Sequence, residues 1–454
     1  MQLVASSAPR RHLRALGFLL AALAVVGSTY IVAALRPTQP AAPAPRPVET
    51  GAPIVALEDG GAPVVSLAQI DHSIDAWTRN LDANPKDFLA ATNLATLYQG
   101  RGRLSYDLTD HERALAAARS ALAIEPSHAP ARVIEAAILF TLHDFSAAHA
   151  AADGLLRADP SQAGALVTRF DAAVELGRID EARDDLDRLR SVGGAAVRIR
   201  AARLASVTGD HDRALAEAIL ARDAALAEET GDLGFYHYAV GEYARLAGDA
   251  IRAREGFAAA LAIRDGDVAA LIGLARIDAY EGRTDDAIAG LQRATAIAPQ
   301  PEALALLGDL HTAAGSAGEA DKAYDTVRFI ERLGDVQAAT FDRQLLRFEL
   351  DHGGAVEDVL DRARASVDAR PDASGHDLIA WALYRLGRYE EAAAAIDSAR
   401  SLGADDARLR FHEGAVRLAL GDGAAASALL SEARLLGPAL DPIERAEVAR
   451  LLAS

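Results

Sequence analysis

Residues Asp377–Leu402 read DLIAWALYRLGRYEEAAAAIDSARSL, and their spacing describes two helices joined by a tight turn. Ile379, Ala380 and Leu383 recur at helical spacing and form one apolar stripe; Ala392, Ile396 and Ala399 form a second. Gly387 stands between them, where a helix C-terminus favours a residue tolerant of positive φ. Glu390 and Glu391 follow, and negative charge in a first helical turn complements the dipole. A single helical pair leaves both stripes facing water, so it needs neighbours of its own shape.

The chain supplies them. Helix-ending segments recur as ALAIEP at Pro126, LLRADP at Pro160, ALAIRD at Asp265, ATAIAP at Pro299, ASVDARP at Pro371 and LLGP at Pro438. Pro126 to Pro160 and Asp265 to Pro299 are each 34 residues apart. Twelve residues before these ends stand Ala114, Ala148, Ala253, Ala287 and Ala426. Ala182, Ala214, Ala320 and Ala392 take the same place in other copies, and Val359 departs from the pattern. A small side chain there lets paired helices approach closely. Turn glycines fall in the same frame at Gly102, Gly177, Gly209, Gly248, Gly282, Gly315, Gly354, Gly387 and Gly421, with His143 replacing glycine once.

This pattern resembles the tetratricopeptide repeat family. It is clearest in Ala303–Val327 (Leu307-Gly308, Gly315, Ala320, Tyr324), in Tyr236–Ile263 (Gly241, Gly248, Ala253, Phe257, Ala260) and in Asp377–Leu402. The resemblance implies an all-α, right-handed helical-hairpin solenoid of about nine to ten repeats over residues 69–438. Residues 439–454 are expected to form a C-terminal capping helix, carried by the amphipathic segment from Pro442 to Ala453. Ile70 to Asn84 reads as an opening half-repeat. Pro85 to Pro126 exceeds the period by seven residues, and the excess is expected as a loop at Leu104–Asp110.

Upstream of the repeats, residues 1–14 are a basic flank carrying Arg10, Arg11 and Arg14. Residues 15–35 are an uncharged apolar run of 21 residues, long enough for a transmembrane signal anchor. Residues 36–68 are a Pro/Ala-rich linker with seven prolines between Pro37 and Pro63, a composition that favours an extended spacer. The arginine bias predicts a single pass through a bacterial cytoplasmic membrane with the repeats on the extracytoplasmic side. Secretion after signal cleavage is the alternative fate, and an inverted, cytoplasm-facing adaptor is the alternative orientation.

Composition narrows the function. Four of the 47 basic residues lie in residues 1–36, which leaves 43 against 65 acidic residues, a net of −22. A body so acidic is a poor nucleic-acid or anionic-lipid binder. With no cysteine there is no disulfide, thiolate site or thiol nucleophile. No HExxH, nucleophile elbow, phosphate-cradling glycine loop or EF-hand loop occurs, and no two histidines stand three or four residues apart. The doublets Asp184-Asp185, Asp285-Asp286, Glu390-Glu391 and Asp405-Asp406 read as structural charges rather than catalytic pairs, and two of them sit at the start of a second helix, where acids suit the dipole. No enzyme activity, catalytic residue, cofactor or metal is expected.

In the family that the repeats resemble, first helices line a concave groove holding a protein or peptide segment. The resemblance places Phe235, Tyr238, Glu242, Arg245, Arg276, Tyr280, Asp309, Phe348, Asp377, Trp381, Tyr384, Arg385, Arg408 and Phe411 on that face. Aromatic residues and Arg are the types enriched at binding hot spots. Lys and Asn are nearly missing from the repeats, so the clamp by which some family members hold acidic C-terminal peptides is not matched. The expected function is a membrane-tethered protein-protein interaction scaffold.

Overall fold

The computed structural model describes residues 66–228, 232–332 and 335–454, without the side chains of 333–342. The expected signal anchor at 15–35 and all but the last three residues of the expected linker lie outside these residues. Among the described residues no helix is long and apolar enough to cross a membrane. They form 22 α-helices, with no strand.

The first helix, α1 (Leu67–Ala83), begins inside the stretch expected as linker. Ser66 fixes its start through a capping box: Gln69 N donates to Ser66 Oγ at 3.3 Å and Ser66 N to Gln69 Oε1 at 2.7 Å. Ten antiparallel hairpins follow. They pair α2 (Phe88–Ser105) with α3 (Leu108–Ile124), α4 (Ala129–Thr141) with α5 (Phe145–Ala158), and α6 (Ala163–Glu175) with α7 (Ile179–Leu189). Next come α8 (Ala195–Val207) with α9 (His211–Ala227), α10 (Leu233–Leu246) with α11 (Ala250–Ile263), and α12 (Val268–Tyr280) with α13 (Thr284–Ile297). The last four pair α14 (Pro301–Ala313) with α15 (Ala317–Arg332), α16 (Asp335–Asp351) with α17 (Val356–Ala369), α18 (Ala373–Arg385) with α19 (Tyr389–Ser401), and α20 (Ala407–Ala419) with α21 (Gly423–Leu435). A 3₁₀ turn (Gly437–Ala439) and α22 (Pro442–Leu452) close the chain.

Each turn is built from a left-handed residue and a helix start. Gly209, Gly248 and Gly421 have φ of 79°, 82° and 85°, and His143 adopts 61° in the copy that lacks glycine. The next residue is aspartate in all four, and its carboxylate accepts the backbone N–H three residues on: Ala147, Arg213, Arg252 and Ala425, at 2.9–3.1 Å. Where arginine follows the glycine instead, at Arg178, Arg283 and Arg388, no side chain caps the helix. An acidic pair in the first turn supplies the negative charge there: Asp180-Glu181, Asp285-Asp286 and Glu390-Glu391. Two turn assignments differ from the sequence expectation. Gly102 lies inside α2, and Tyr106 (φ 60°) makes the left-handed step; Gly353 (φ 87°), not Gly354, does so before α17. The seven extra residues form no loop: they lengthen α2 and α3, leaving only Tyr106 and Asp107 between them.

The small residues do what their spacing implies. Ala114, Ala148, Ala182, Ala214, Ala253, Ala287, Ala320, Ala392, Ala426 and Val359 are each no more than 2% exposed. Opposite them, glycines of the first helices receive large side chains of the second. A Cβ on Gly241 would stand 2.8 Å from the Phe257 ring, and one on Gly414 the same distance from Leu430.

The array coils tightly enough to touch itself. Tyr106 Oη accepts the Val268 N–H at 3.2 Å across 162 residues. Arg245 donates to the carbonyl of Pro438 across 193 residues, and Arg445 to that of Ala279 across 166. Turn glycines seat later backbone: a Cβ on Gly177 would collide with the Pro371 carbonyl, and one on Gly209 with Asp405 at 2.6 Å. With a 34-residue period these separations correspond to about five to six repeats per superhelical turn. Successive turns therefore stack, and the concave face becomes a narrow interior.

Candidate functional site

The first helices α10, α12, α14, α16, α18 and α20 face that interior, and the predicted groove residues divide into three groups by where they end up.

The first group is covered by the end of the chain itself. Arg245 Nη1 donates to the carbonyls of Pro438 (3.3 Å) and Ala439 (3.2 Å), and its other nitrogens pair with Glu242 at 2.6 and 2.9 Å. Arg276 bridges Glu302 and Asp441, each at 3.4 Å. Arg408 reaches Asp441 at 3.6 Å and donates to Glu444. Burial opposes the Asp441 charge, but Arg276 and Arg408 overcome it and hold the carboxyl below its usual range. Burial also works against Arg408, and Glu444 and Asp441 more than reverse it. Tyr280 is covered only in part: it lies beneath the Arg445 guanidinium, 5.4 Å from the ring centre, and stays 40% exposed.

A second group is spent on packing. Phe235 is 4% exposed and sits edge-on to Tyr236 in the helix interface; Phe348 is 5% exposed and stacks on His352. Neither lines the interior as expected. Tyr238, half-buried, leans on Phe257. Asp309 accepts from Tyr324 Oη and His352 Nε2, both at 2.8 Å, and this carboxylate raises the His352 pKa against the opposing effect of burial. Asp377, buried, accepts from His412 Nδ1 at 2.7 Å.

The third group converges. Trp381, Tyr384, Arg385 and Phe411 line one cavity of about 600 Å³. Trp381 is stacked between Tyr384 (4.9 Å, 6°) and His412 (4.2 Å, 11°), so a flat aromatic wall runs along α18 and α20. The opposite wall is α22, which presents Ile443, Glu444, Glu447 and Arg450. Ile443 is 43% exposed, an apolar side chain facing space rather than a partner. Arg347 and Asp351 of α16 complete the lining, and Arg347 also borders a cleft of about 260 Å³ between superhelical turns.

Among the described residues, Arg347 makes no hydrogen bond or ion pair. Burial, then the nearby Arg408, push its pKa below the usual arginine value. The cavity's acids are committed elsewhere: Glu444 to Arg408, and Glu447 to Arg450 at 2.6 and 2.8 Å. The side chains crowded around Asp351, then Glu444, raise it above the ordinary carboxylate value, although Asp351 is itself exposed. Sequence spacing did not single out Arg347, Asp351 or the α22 residues. The period does flag α16 as a first helix, so Arg347 was within reach; α22 was legible only as a polar cap. Among the described residues no group of three or more His, Asp or Glu could hold a metal ion.

The sequence profile of the tetratricopeptide repeat family matches residues 244–310, from the end of α10 into α14. No curated protein matches the chain. Among solved structures, PilW, described as a widely conserved type IV pilus biogenesis factor, is 19% identical with a TM-score of 0.38, covering 46% of this chain and 96% of that one. A tetratricopeptide repeat protein from Parabacteroides merdae is 17% identical with a TM-score of 0.32, covering 57% and 99%. The human IFIT1 dimer with PPP-AAAA is 13% identical with a TM-score of 0.43, covering 74% and 88%.

Proposed function

We propose that this chain is a protein-protein interaction scaffold that holds a segment of a partner protein inside its superhelix, at the cavity walled by Trp381, Tyr384 and Phe411. One observation carries the reading. In a chain with 5% aromatic residues, Trp381, Tyr384 and Phe411 gather on one side of a cleft of about 600 Å³ and border it while also packing into the core behind them. A solvent-open cleft of that size, with Ile443 exposed beside it, is a place for another molecule. The test is co-purification of partners with the intact chain. Tyr384→Ala and Arg385→Glu are expected to release a protein that wild type and the outer-face variant Asp397→Arg retain. Equal recovery by all four forms would refute the reading.

The scaffold is tethered by residues 15–35 to a bacterial cytoplasmic membrane and held off it by residues 36–65, with the repeats outside the cytoplasm. This part rests on the sequence: the length of the apolar run, the arginines before it and the prolines after it. Because the chain has no cysteine, Ser454→Cys places a single thiol on an exposed C-terminus. Labelling by an impermeant reagent on spheroplasts before lysis supports this orientation. Labelling only after lysis would mean a cytoplasm-facing adaptor, and recovery without membrane would mean secretion.

A further inference from the structure

The end of the chain occupies the interior without filling it. The segment from Leu436 to Leu452 is held by arginines that belong to three separate hairpins, through contacts to main-chain carbonyls and carboxylates. Asp441 stands 3.4 Å from Arg276 and 3.6 Å from Arg408, whereas Glu444 is paired closely with Arg408. Its apolar anchors are Leu440, Val448 and Leu451, with Gly437 and Pro438 buried ahead of them. An 11-residue helix is marginal on its own in water, so its tertiary contacts decide whether it stays. It leaves about 600 Å³ between itself and the aromatic wall, with Ile443 facing that space.

The charge pattern says what a fuller occupant would bring. Arg276 and Arg408 already grip Asp441 and Glu444, and Arg245 grips the carbonyls ahead of them. Arg347 borders the unfilled space, where Asp377, Glu444 and Asp351 act on it from a distance and no carboxylate pairs with it closely. What Arg347 lacks is a carboxylate at pairing distance. A phosphate-rich polymer does not fit this position, because Asp351, Glu444 and Glu447 share the cavity; spaced single carboxylates on a polypeptide do. We infer that Leu436–Leu452 is a tethered, displaceable occupant of a site built for a partner's acidic segment, and that Arg245, Arg276, Arg347 and Arg408 read that segment's carboxylates. The segment itself shows the pattern: a helix-starting Asp with Glu three residues on, its Asp441 N–H donating to Glu444 Oε2 at 2.9 Å. The inference rests on the scaffold reading and adds to it a partner chemistry and an autoinhibited resting state.

The test uses the full chain and a fluorescein-labelled synthetic peptide of residues 436–454 as the probe, followed by anisotropy. In wild type the tethered copy competes at an effective concentration on the order of millimolar, so the peptide binds poorly. In the Asp441→Lys, Glu444→Lys double variant the tethered copy is repelled, and the peptide binds at least about tenfold more tightly. Adding Arg276→Glu and Arg408→Glu, or Arg347→Gln alone, to that background lowers affinity again by about tenfold. Equal binding by wild type and double variant, no binding by either, or binding indifferent to the arginines would overturn the inference. Hydrogen exchange of wild type gives an answer independent of the variants. Raising salt from 0.05 to 0.5 M is expected to deprotect residues 442–452 selectively, because the hold is electrostatic; deprotection only together with α18–α21 would overturn the displaceable occupant. Loss of partner on Tyr384→Ala, with these tests negative, would leave the scaffold reading standing and remove only the acidic-segment site.

Discussion

Ala253 is wholly buried where α11 meets its neighbours, five positions before exposed Ala258 on the same helix. That contrast isolates the role of the small residues. Ala253→Leu should overpack the hairpin and cost about 1–3 kcal/mol in urea unfolding, while Ala258→Leu should change stability by less than about 0.5 kcal/mol. Equal effects would mean that helix propensity, not close approach, governs this position. Titration is also set residue by residue. Glu349 is pushed up to about 7, first by burial and then by the adjacent Glu331 carboxyl, although Arg362 bridges the two at 2.7 and 3.2 Å. Between about 4.5 and about 7 the folded chain keeps a proton that the unfolded chain has released, so stability should fall as pH rises through that window. Glu349→Gln should flatten the slope in denaturant titrations across those pH values; an unchanged slope would assign it to another group.

Helical elements begin and end where short-range chemistry dictates, and much of this was legible in the sequence. The turn glycines marked true hairpin turns, and in the structure the aspartate after Gly209 caps the next helix, so Asp210→Ala should cost about 0.5–2 kcal/mol, read as a lowered urea midpoint with unchanged m-value. His143 was identified as a stand-in for glycine, and its φ of 61° fits that role. Gly102 was misassigned for a physical reason. Glycine serves either positive φ or close approach, and sequence does not separate the two uses. At Gly102 it is the second: a Cβ would stand 2.9 Å from the His111 ring. The same ambiguity affected Phe235 and Phe348. First helices such as α10 are apolar on several faces, because each packs against its own hairpin and both neighbours. Spacing alone then does not fix which aromatic points inward.

On the scale of the whole molecule, the contacts that close the superhelix carry no local signal. Arg245 and Pro438 meet across 193 residues because small rotations accumulate over the repeats between them. The sequence therefore located the groove-facing helices but not the segment lying against them, and α22 read as a simple cap. Two glycines test the stacking of turns. Gly177 and Gly282 have similar positive φ, 68° and 78°, but only Gly177 meets a later turn, at the Pro371 carbonyl. Both alanine variants pay for the left-handed backbone, roughly 1–2 kcal/mol. Gly177→Ala should lose at least about 1 kcal/mol more in thermal or urea unfolding, because the later backbone must also shift. Matching losses would mean the turns do not press on one another in solution.

The central claim is that the interior of the superhelix, rather than its outer surface, is where a partner is held. Photo-crosslinking in cells addresses it most directly, with a photoreactive residue at Tyr384 on the cavity wall and, separately, at exposed Asp397 on α19. The account predicts a discrete product from Tyr384, mapping to an acidic segment of one partner, and none from Asp397. The same product from both positions, or products from Asp397 alone, would contradict it.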